Sequence, residues 1–134
     1  MQFLVARSQT GQPVGLVTCF AADLRSGVAS LAAHIGPEFI GAGLIGDALA
    51  LFIEYVLGLW NFRILYAEVP EYNYSQLASG AGTLFSEEAR VPERYWHRGR
   101  LWDNVILAVR REHWQTIAPR LLRAVRGHEG AADS

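Results

Sequence analysis

The residues best suited to chemistry are three glycines between two hydrophobic segments. Gly41, Gly43 and Gly46 follow a predicted strand that ends at Ile35, and a predicted helix begins near Ala42. The first turn of a helix carries backbone N–H groups without partners and a partial positive charge, so it attracts phosphate groups. Glycine leaves no side chain between those groups and a ligand. The segment therefore predicts a binding site for a phosphorylated molecule.

The same Gly-x-Gly-x-x-Gly spacing occurs in dinucleotide-binding Rossmann domains. Such a domain needs a buried parallel strand before the glycines and an acidic residue about 20 positions later. Here the preceding strand belongs to a predicted antiparallel meander, and only Glu68 stands near the second position. The sequence therefore argues against a Rossmann site. The spacing alone is also compatible with a plain turn before a packed helix.

The elements around the glycines predict one α+β domain. Strands are predicted at Gln2–Ala6, Val14–Ala22, Val28–Ile35, Arg63–Val69, Ala89–His97 and Leu101–Val109. Helices are predicted at Leu44–Leu57 with Gly58 at its end, within Pro70–Ala81, and at about Ile117–Arg126. Short turns join the first three strands into an antiparallel meander, and a tight turn joins the last two into a hairpin. Residues 1–126 are expected to form the domain, and residues 127–134 a disordered tail.

Composition excludes several other classes. The 134 residues are 51% hydrophobic, which is enough for one core, and the net charge of −1 argues against general nucleic-acid binding. Cys19 is the only cysteine, so we expect no disulfide and no cysteine metal cluster, and the residue fits a small buried position. Charged residues and glycines interrupt the longest apolar stretch, which argues against a membrane span. Without a secretion signal at its start, the chain is expected in the cytoplasm.

Several local motifs also match a known pattern. Pro37–Ala48 looks like an acyl-CoA pyrophosphate loop, and Gly58–Arg63 and Ala67–Gln76 look like the segments that follow such a loop. Phe85–Arg90, Trp102-Asp103 and Arg110–Trp114 fit a closing hairpin and its exit. Together they resemble the GNAT superfamily of N-acyltransferases, and within it the ribosomal-protein alanine acetyltransferase branch. The resemblance implies a GNAT fold, with a mixed, mostly antiparallel sheet and helices on both faces.

The resemblance also implies a cofactor site. Acetyl-CoA, or another acyl-CoA, would lie in a V-shaped opening between the strand ending at Ile35 and the strand starting at Arg63. An amine would attack the thioester directly, without a covalent enzyme intermediate. The residues implied to bind the cofactor are Ile35, Gly36, Phe39, Ile40, Gly41, Ala42, Gly43, Leu44, Ile45, Gly46, Asn73 and Ser75.

The chain departs from the family pattern in its candidate catalytic residues. Related enzymes often carry a glutamate as general base where this chain has Ser30. His34 on the same strand face and Glu68 on the opposing strand are the alternative bases, although His34 could equally close the strand with one hydrogen bond. Ser75 or Tyr74 is the expected proton donor to the thiolate.

A second departure concerns the front of the fold, because the family's first strand and two helices are absent. The acceptor side could be completed by a second subunit of a homodimer or by a partner protein. The leading hypothesis is an N-acyltransferase acting on a primary amine, either a small molecule or a protein N-terminus. The alternatives are a non-catalytic subunit of the same fold, either acyl-CoA-binding or a scaffold, and half of a dimer with a shared site. An aromatic cluster on the closing hairpin and its exit fits core or dimer packing, or an acceptor-facing wall; its members are Tyr95, Trp96, Trp102 and Trp114.

Overall fold

Six strands and two long helices make up the part of the chain that the computed structural model describes, which covers residues 1–6, 10–36, 44–74 and 84–133. The strands are β1 (Gln2–Ala6), β2 (Pro13–Asp23), β3 (Val28–Ile35), β4 (Ile64–Pro70), β5 (Ser86–His97) and β6 (Arg100–Arg110). The helices are α1 (Leu44–Leu59) and α2 (Arg111–Asp133). Residues 71–74 form a single helical turn within the segment for which a short helix is predicted.

The six strands form one sheet in the order β1-β2-β3-β4-β6-β5. β1, β2 and β3 make the antiparallel meander that the sequence predicts, and β5 and β6 make the predicted hairpin. β3 and β4 are parallel, so they need a crossover connection, which contains α1. The predicted α+β class with a mixed, mostly antiparallel sheet is confirmed.

Both long helices pack against one face of the sheet, which we call the helix face. Paired residues on neighbouring strands point to the same face, and this face carries Val17, Leu31, Leu65 and Val109, each at most 2% exposed. These side chains belong to one apolar cluster with buried residues of both helices. The helices contribute Leu49, Ala50, Phe52, Ile53, Val56, Leu57, Trp114, Ala118 and Val125.

The other side of the sheet, which we call the open face, carries Phe20, Ser30, Tyr66 and Ala108 in one row across four strands. Neither α1 nor α2 packs against it. Of the predicted helices, the one within Pro70–Ala81 is described only at residues 71–74, and the two long helices lie together on the helix face. They share a face because they also pack against each other, and the Trp114 indole N–H donates to the Glu54 carboxylate across 2.7 Å.

The end of α1 lies beyond the predicted position. The helix continues through Gly58 to Leu59, so the prediction that Gly58 ends it is wrong. The Arg111 side chain instead lies just past this end. Its Nη2 donates to the Trp60 carbonyl at 2.6 Å, and its Nε donates to the Phe62 carbonyl at 2.7 Å. A contact between residues distant in sequence thus supports the end of this helix.

α2 is longer at both ends than the predicted Ile117–Arg126. It begins at Arg111, directly after β6. The Arg111 N–H donates to the carbonyl of Arg63, the residue before β4, at 2.9 Å. Residues 127–133, which the sequence analysis assigned to a tail, continue this helix in the structure. The division into a domain of residues 1–126 and a disordered tail stays a prediction.

The start of β4 is tied to the turn between β2 and β3. The Arg63 N–H donates to the Gly27 carbonyl at 2.8 Å, and its Nε donates to the Ser26 carbonyl at 2.8 Å. Gly27 has a φ of 73°, and a Cβ there would lie 3.3 Å from Arg63 Cγ. Glycine therefore fits both the backbone conformation and the close contact. These bonds hold β3 and β4 together where their parallel pairing begins.

Cys19 lies in the core, as the sequence predicts, with 6% of its surface exposed. Burial raises the pKa of its thiol above the ordinary value. The group therefore stays a neutral thiol at neutral pH, as expected for a structural cysteine.

The core of α1 gives a first test of this packing. Ile53 is 0% exposed and Leu51, two residues earlier on the same helix, is 44% exposed. We expect Ile53→Ala to lower the free energy of unfolding by about 2–5 kcal/mol, because it leaves a cavity. Leu51→Ala should cost less than about 1 kcal/mol. Urea denaturation of both variants measures the difference, and equal losses would contradict the placement of the helix face.

Candidate active site

β3 and β4 pair with each other only over the first part of each strand. The pairing runs from Val28–Ile64 to Leu31–Ala67, whereas β3 continues to Ile35 and β4 to Pro70. Each strand is paired on its outer side along this stretch, β3 with β2 and β4 with β6. The inner edges of residues 32–35 and 68–70 therefore face a gap, lined by backbone groups that the β3–β4 ladder does not use. The gap lies where the sequence analysis expected the V-shaped opening.

The N-terminus of α1 lies at the same end of the sheet as this gap. The helix begins at Leu44 and connects the carboxyl end of β3 to the start of the parallel β4. A crossover helix therefore starts beside the carboxyl ends of the two strands, which is the end where open α/β sheets bind ligands. The first-turn N–H groups of α1 have no partners within the helix and attract anions.

The residues predicted to bind the cofactor are only partly described. Five of them, together with Ser75, lie outside the described residues: Phe39, Ile40, Gly41, Ala42 and Gly43. Leu44, Ile45 and Gly46 lie in the first turn of α1, and Ile35 is the last residue of β3. The Gly36 N–H donates to the Val14 carbonyl at 2.8 Å, so within this residue only the carbonyl is left for a ligand.

Both candidate bases lie on the open face beside the gap. Ser30 is paired with Tyr66, and His34 and Glu68 follow these residues at even spacing, so all four share that face. His34 and Glu68 are exposed, one on the β3 side of the gap and one on the β4 side. The structure thus brings the two predicted bases to opposite sides of one opening. Their catalytic roles stay a prediction.

Asn104 is a polar residue of the open face that the sequence analysis missed. It is paired with Pro70, at the end of β4, and with Val91 on β5. Only 4% of it is exposed, and its Oδ1 has no hydrogen-bond partner among the described residues. A buried oxygen without a donor costs about 1–3 kcal/mol, so a donor bound there would be favourable. The signal was a single amide directly before the apolar run Val105–Val109 of the last strand.

The helical turn after β4 holds two further predicted residues. Asn73 is exposed, whereas Tyr74 is half-buried. The Tyr74 side chain packs against Val69, Val105 and Leu107 on the helix face. This contact fixes the position of the ring close to the end of β4. Ser75, the other predicted proton donor, lies outside the described residues.

The aromatic cluster of the sequence analysis divides into separate environments. Trp114 is 2% exposed and belongs to the core. Tyr95 and Trp102 form a cross-strand pair on the open face of the hairpin, and both are half-buried. Trp96 is 71% exposed on the other side of the hairpin. Core packing therefore accounts for Trp114 alone.

Neither a metal-binding cluster nor a membrane-spanning helix is found among the described residues. No group of three or more His, Cys, Asp or Glu side chains there is arranged to hold a metal ion. None of the helices in that part of the chain is both long and apolar enough to cross a membrane.

The chain is similar to several solved structures. No protein-family model and no curated protein sequence matches the chain. It is similar to a point mutant of the spermidine N-acetyltransferase SpeG from Vibrio cholerae, at 22% identity and a TM-score of 0.70, over 81% of this chain and 64% of that one. The SpeG complex with manganese ions has 21% identity and a TM-score of 0.74, over 86% and 67% of the two chains. The dodecameric SpeG in an intermediate state has 21% identity and a TM-score of 0.74, over 84% and 66%.

This likeness confirms the predicted GNAT fold. The likeness to SpeG does not show whether the chain belongs to the ribosomal-protein alanine acetyltransferase branch. The chain spans 64% to 67% of the length of these three SpeG chains.

The packing of Tyr74 separates a structural role from a chemical one. We expect Tyr74→Ala to lower the free energy of unfolding by about 1–3 kcal/mol, because the half-buried ring loses its apolar contacts. Tyr74→Phe keeps the ring and should leave stability within about 0.5 kcal/mol. Denaturant unfolding measures both. A large loss in Tyr74→Phe would mean that the hydroxyl itself supports the fold.

Proposed function

We propose that this chain is an N-acyltransferase that transfers an acetyl or other short acyl group from acyl-CoA to a primary amine. The observation that carries the proposal is the gap between β3 and β4, with the N-terminus of α1 at the same end of the sheet. The fold shared with acetyltransferases whose names record an amine substrate, spermidine, supports the same reaction class. Assignment to the ribosomal-protein alanine acetyltransferase branch is part of the proposal and rests on the sequence motifs.

The gap and the helix fit the two ends of an acyl-CoA. Its pantetheine arm is an extended chain with amide groups, and unpaired strand backbone at residues 32–35 and 68–70 can hydrogen-bond such a chain. Its pyrophosphate is an anion, which the first turn of α1 attracts, and Gly41 and Gly43 would allow close approach. Bound acyl-CoA would supply the activated acyl thioester. Asn73, exposed after β4, would contact the pantetheine arm.

The open face supplies groups for the amine. An amine attacks a thioester only when it is neutral, so a base must accept its proton, and either the His34 imidazole or the Glu68 carboxylate can do so. Asn104 Oδ1 is a buried acceptor with no donor in the described part of the chain, and it would accept an amine N–H. Ser75 or Tyr74 would donate a proton to the departing thiolate.

The acceptor side also bears on quaternary structure. Leu16 and Phe20 on the open face are 40% and 49% exposed, which favours cover by another chain. We propose a homodimer or a partner protein that completes this side, in line with the dodecamer recorded for one structural neighbour. A shared-site dimer is then one form of the enzyme. A non-catalytic subunit is less favoured, because it would not need two candidate bases beside the gap, and a pure scaffold would not need the glycine segment either. Cytoplasmic location stays a prediction.

The cofactor assignment is tested by calorimetry. Acetyl-CoA, free CoA and NADH are titrated separately into the purified protein. We expect the two CoA compounds to bind and NADH not to bind. Gly43→Phe should abolish CoA binding, because the ring would keep the pyrophosphate from the backbone. Gly58→Ala is the matched control on α1, since a Cβ there meets no atom within 4 Å.

Each outcome of this titration decides something. If Gly43→Phe stays folded by circular dichroism and still binds acetyl-CoA, the phosphate-loop assignment is wrong. If neither CoA compound binds the unaltered protein, the acyltransferase proposal fails for this chain.

The identity of the base is tested by pH–rate profiles with acetyl-CoA and a panel of primary amines. Removing the true base, by His34→Gln or Glu68→Gln, should lower kcat/KM about 10²- to 10⁴-fold near neutral pH. The corresponding arm of the profile should also disappear. Thr18→Ala, on the same face but on β2, one strand removed from the edge of the gap, is the control and should keep the profile unchanged. Normal pH–rate profiles in both glutamine variants would show that neither His34 nor Glu68 is the base.

A further inference from the structure

The hairpin of β5 and β6 extends beyond the rest of the sheet. β4 ends at Pro70, which is paired with Asn104, whereas β6 begins four residues earlier, at Arg100. The last cross-strand pairs of the hairpin are therefore made by β5 and β6 alone. This projecting part, residues 94–102, is called the hairpin end below. It carries three arginines, at positions 94, 98 and 100.

Two of these arginines lie over the aromatic rings of one cross-strand pair. Tyr95 and Trp102 face each other on the open face. The Arg94 Cζ lies 5.1 Å from the centre of the Tyr95 ring, and the Arg100 Cζ lies 3.6 Å from the centre of the Trp102 ring. A guanidinium that stacks through its flat face keeps its five N–H groups in the plane, where they can donate. Two donor groups are thus held on neighbouring rings.

Hydrogen bonds and ring contacts within the hairpin and with Tyr72 hold the Trp102 ring and its surroundings in position. The Trp102 indole N–H donates to the His97 carbonyl at 2.8 Å. Tyr72 stacks on the His97 ring at 4.0 Å and meets the edge of Trp102 at 5.6 Å. The Glu93 N–H donates to Asp103 Oδ1 at 3.2 Å, within a bulge where Glu93 has a φ of 53°. The rings beneath Arg94 and Arg100 are therefore held in fixed positions, which lowers the entropy cost of binding a ligand.

The arginines of the hairpin end differ from the others of the same hairpin in their partners. Arg90 and Arg110 form ion pairs with Glu71, Glu87 and Glu88. Among the described residues, no carboxylate lies within 4.0 Å of the guanidinium of Arg94 or Arg100. Their donor groups are oriented, yet no acid of this part of the chain neutralises them. Arginine, tryptophan and tyrosine are the residue types enriched at the energetic centres of protein interfaces, and the hairpin end holds all three close together.

We propose that the hairpin end binds an acidic segment of a partner polypeptide, with carboxylates bound to Arg94 and Arg100. A planar guanidinium pairs with a carboxylate through two parallel hydrogen bonds. A short segment fits because the unpaired positive charge is confined to residues 94–100. Glu87 and Glu88 lie nearby along β5, and Glu93 directly adjoins Arg94. A nucleic acid would need positive charge along a longer path, and the chain has 13 acidic and 12 basic residues.

Binding can be measured by fluorescence anisotropy with a labelled octapeptide of alternating glutamate and serine. The control peptide has glutamine at each glutamate position. We expect the glutamate peptide to bind, the glutamine peptide not to bind, and affinity to fall as salt rises from about 50 mM to about 300 mM. Arg94→Gln and Arg100→Gln should each weaken binding about three- to tenfold, a range between exposed ion pairs and charge-assisted bonds.

Two further variants sharpen the test. Arg100→Lys keeps the charge and loses the planar donor fork, so we expect a partial loss of affinity. Arg25→Gln removes one exposed arginine from the turn between β2 and β3, and it should leave binding unchanged. Thermal unfolding confirms that each variant is folded. Because the assay contains no acyl-CoA, its result is independent of the proposed acyl transfer.

Three outcomes would overturn the proposal. Equal binding of the glutamate and glutamine peptides would show that carboxylates are not recognised. An equal effect of Arg25→Gln would mean that net charge alone attracts the peptide. Binding of a single-stranded oligothymidylate that depends on Arg94 and Arg100, without peptide binding, would assign the hairpin end to nucleic acid.

Discussion

The arrangement of this molecule depends on a parallel pairing that is short. β3 and β4 share four residue pairs, from Val28–Ile64 to Leu31–Ala67, and are then free of each other. The pairing is anchored at its start, where Arg63 bonds to the Ser26 and Gly27 carbonyls. Because the strands are parallel, a helix must cross over between them, and its N-terminus comes to the end where they separate. One constraint therefore creates the gap and sets a helix terminus beside it.

The one-sided core follows from how the two helices pack. α1 and α2 contact each other and bury a common apolar cluster against the helix face. The candidate polar groups and the paired aromatic rings of the hairpin lie on the open face, beside aliphatic residues such as Leu16 and Ala108. Because side chains alternate between faces along each strand, the core residues of the helix face and the candidate site residues of the open face can be substituted separately.

Much of this fold could be predicted because its strands are short apolar runs bounded by polar turns. The bounds of β1 and β3 agree with the sequence analysis residue for residue, since turn residues flank both. The end of α1 could not be predicted, because the Arg111 side chain that supports it comes from 50 positions later in the sequence. Asn104 was missed for a related reason: its burial depends on neighbouring strands and not on its own segment. The paired location of His34 and Glu68 could be anticipated only because a resemblance placed their strands on either side of an opening.

The proposed site divides its work between backbone and side chains. Strand edges and a helix terminus can bind an amide chain and a pyrophosphate with few sequence requirements, beyond glycine where close approach is needed. A fold can therefore keep this half of a site at 21–22% identity, the level found with the SpeG structures. The acceptor half depends on particular side chains, such as His34, Glu68 and Asn104. For the proposed reaction, specificity for the amine must therefore be sought on the open face, and the fold that the chain shares with the SpeG structures carries little information about the acceptor.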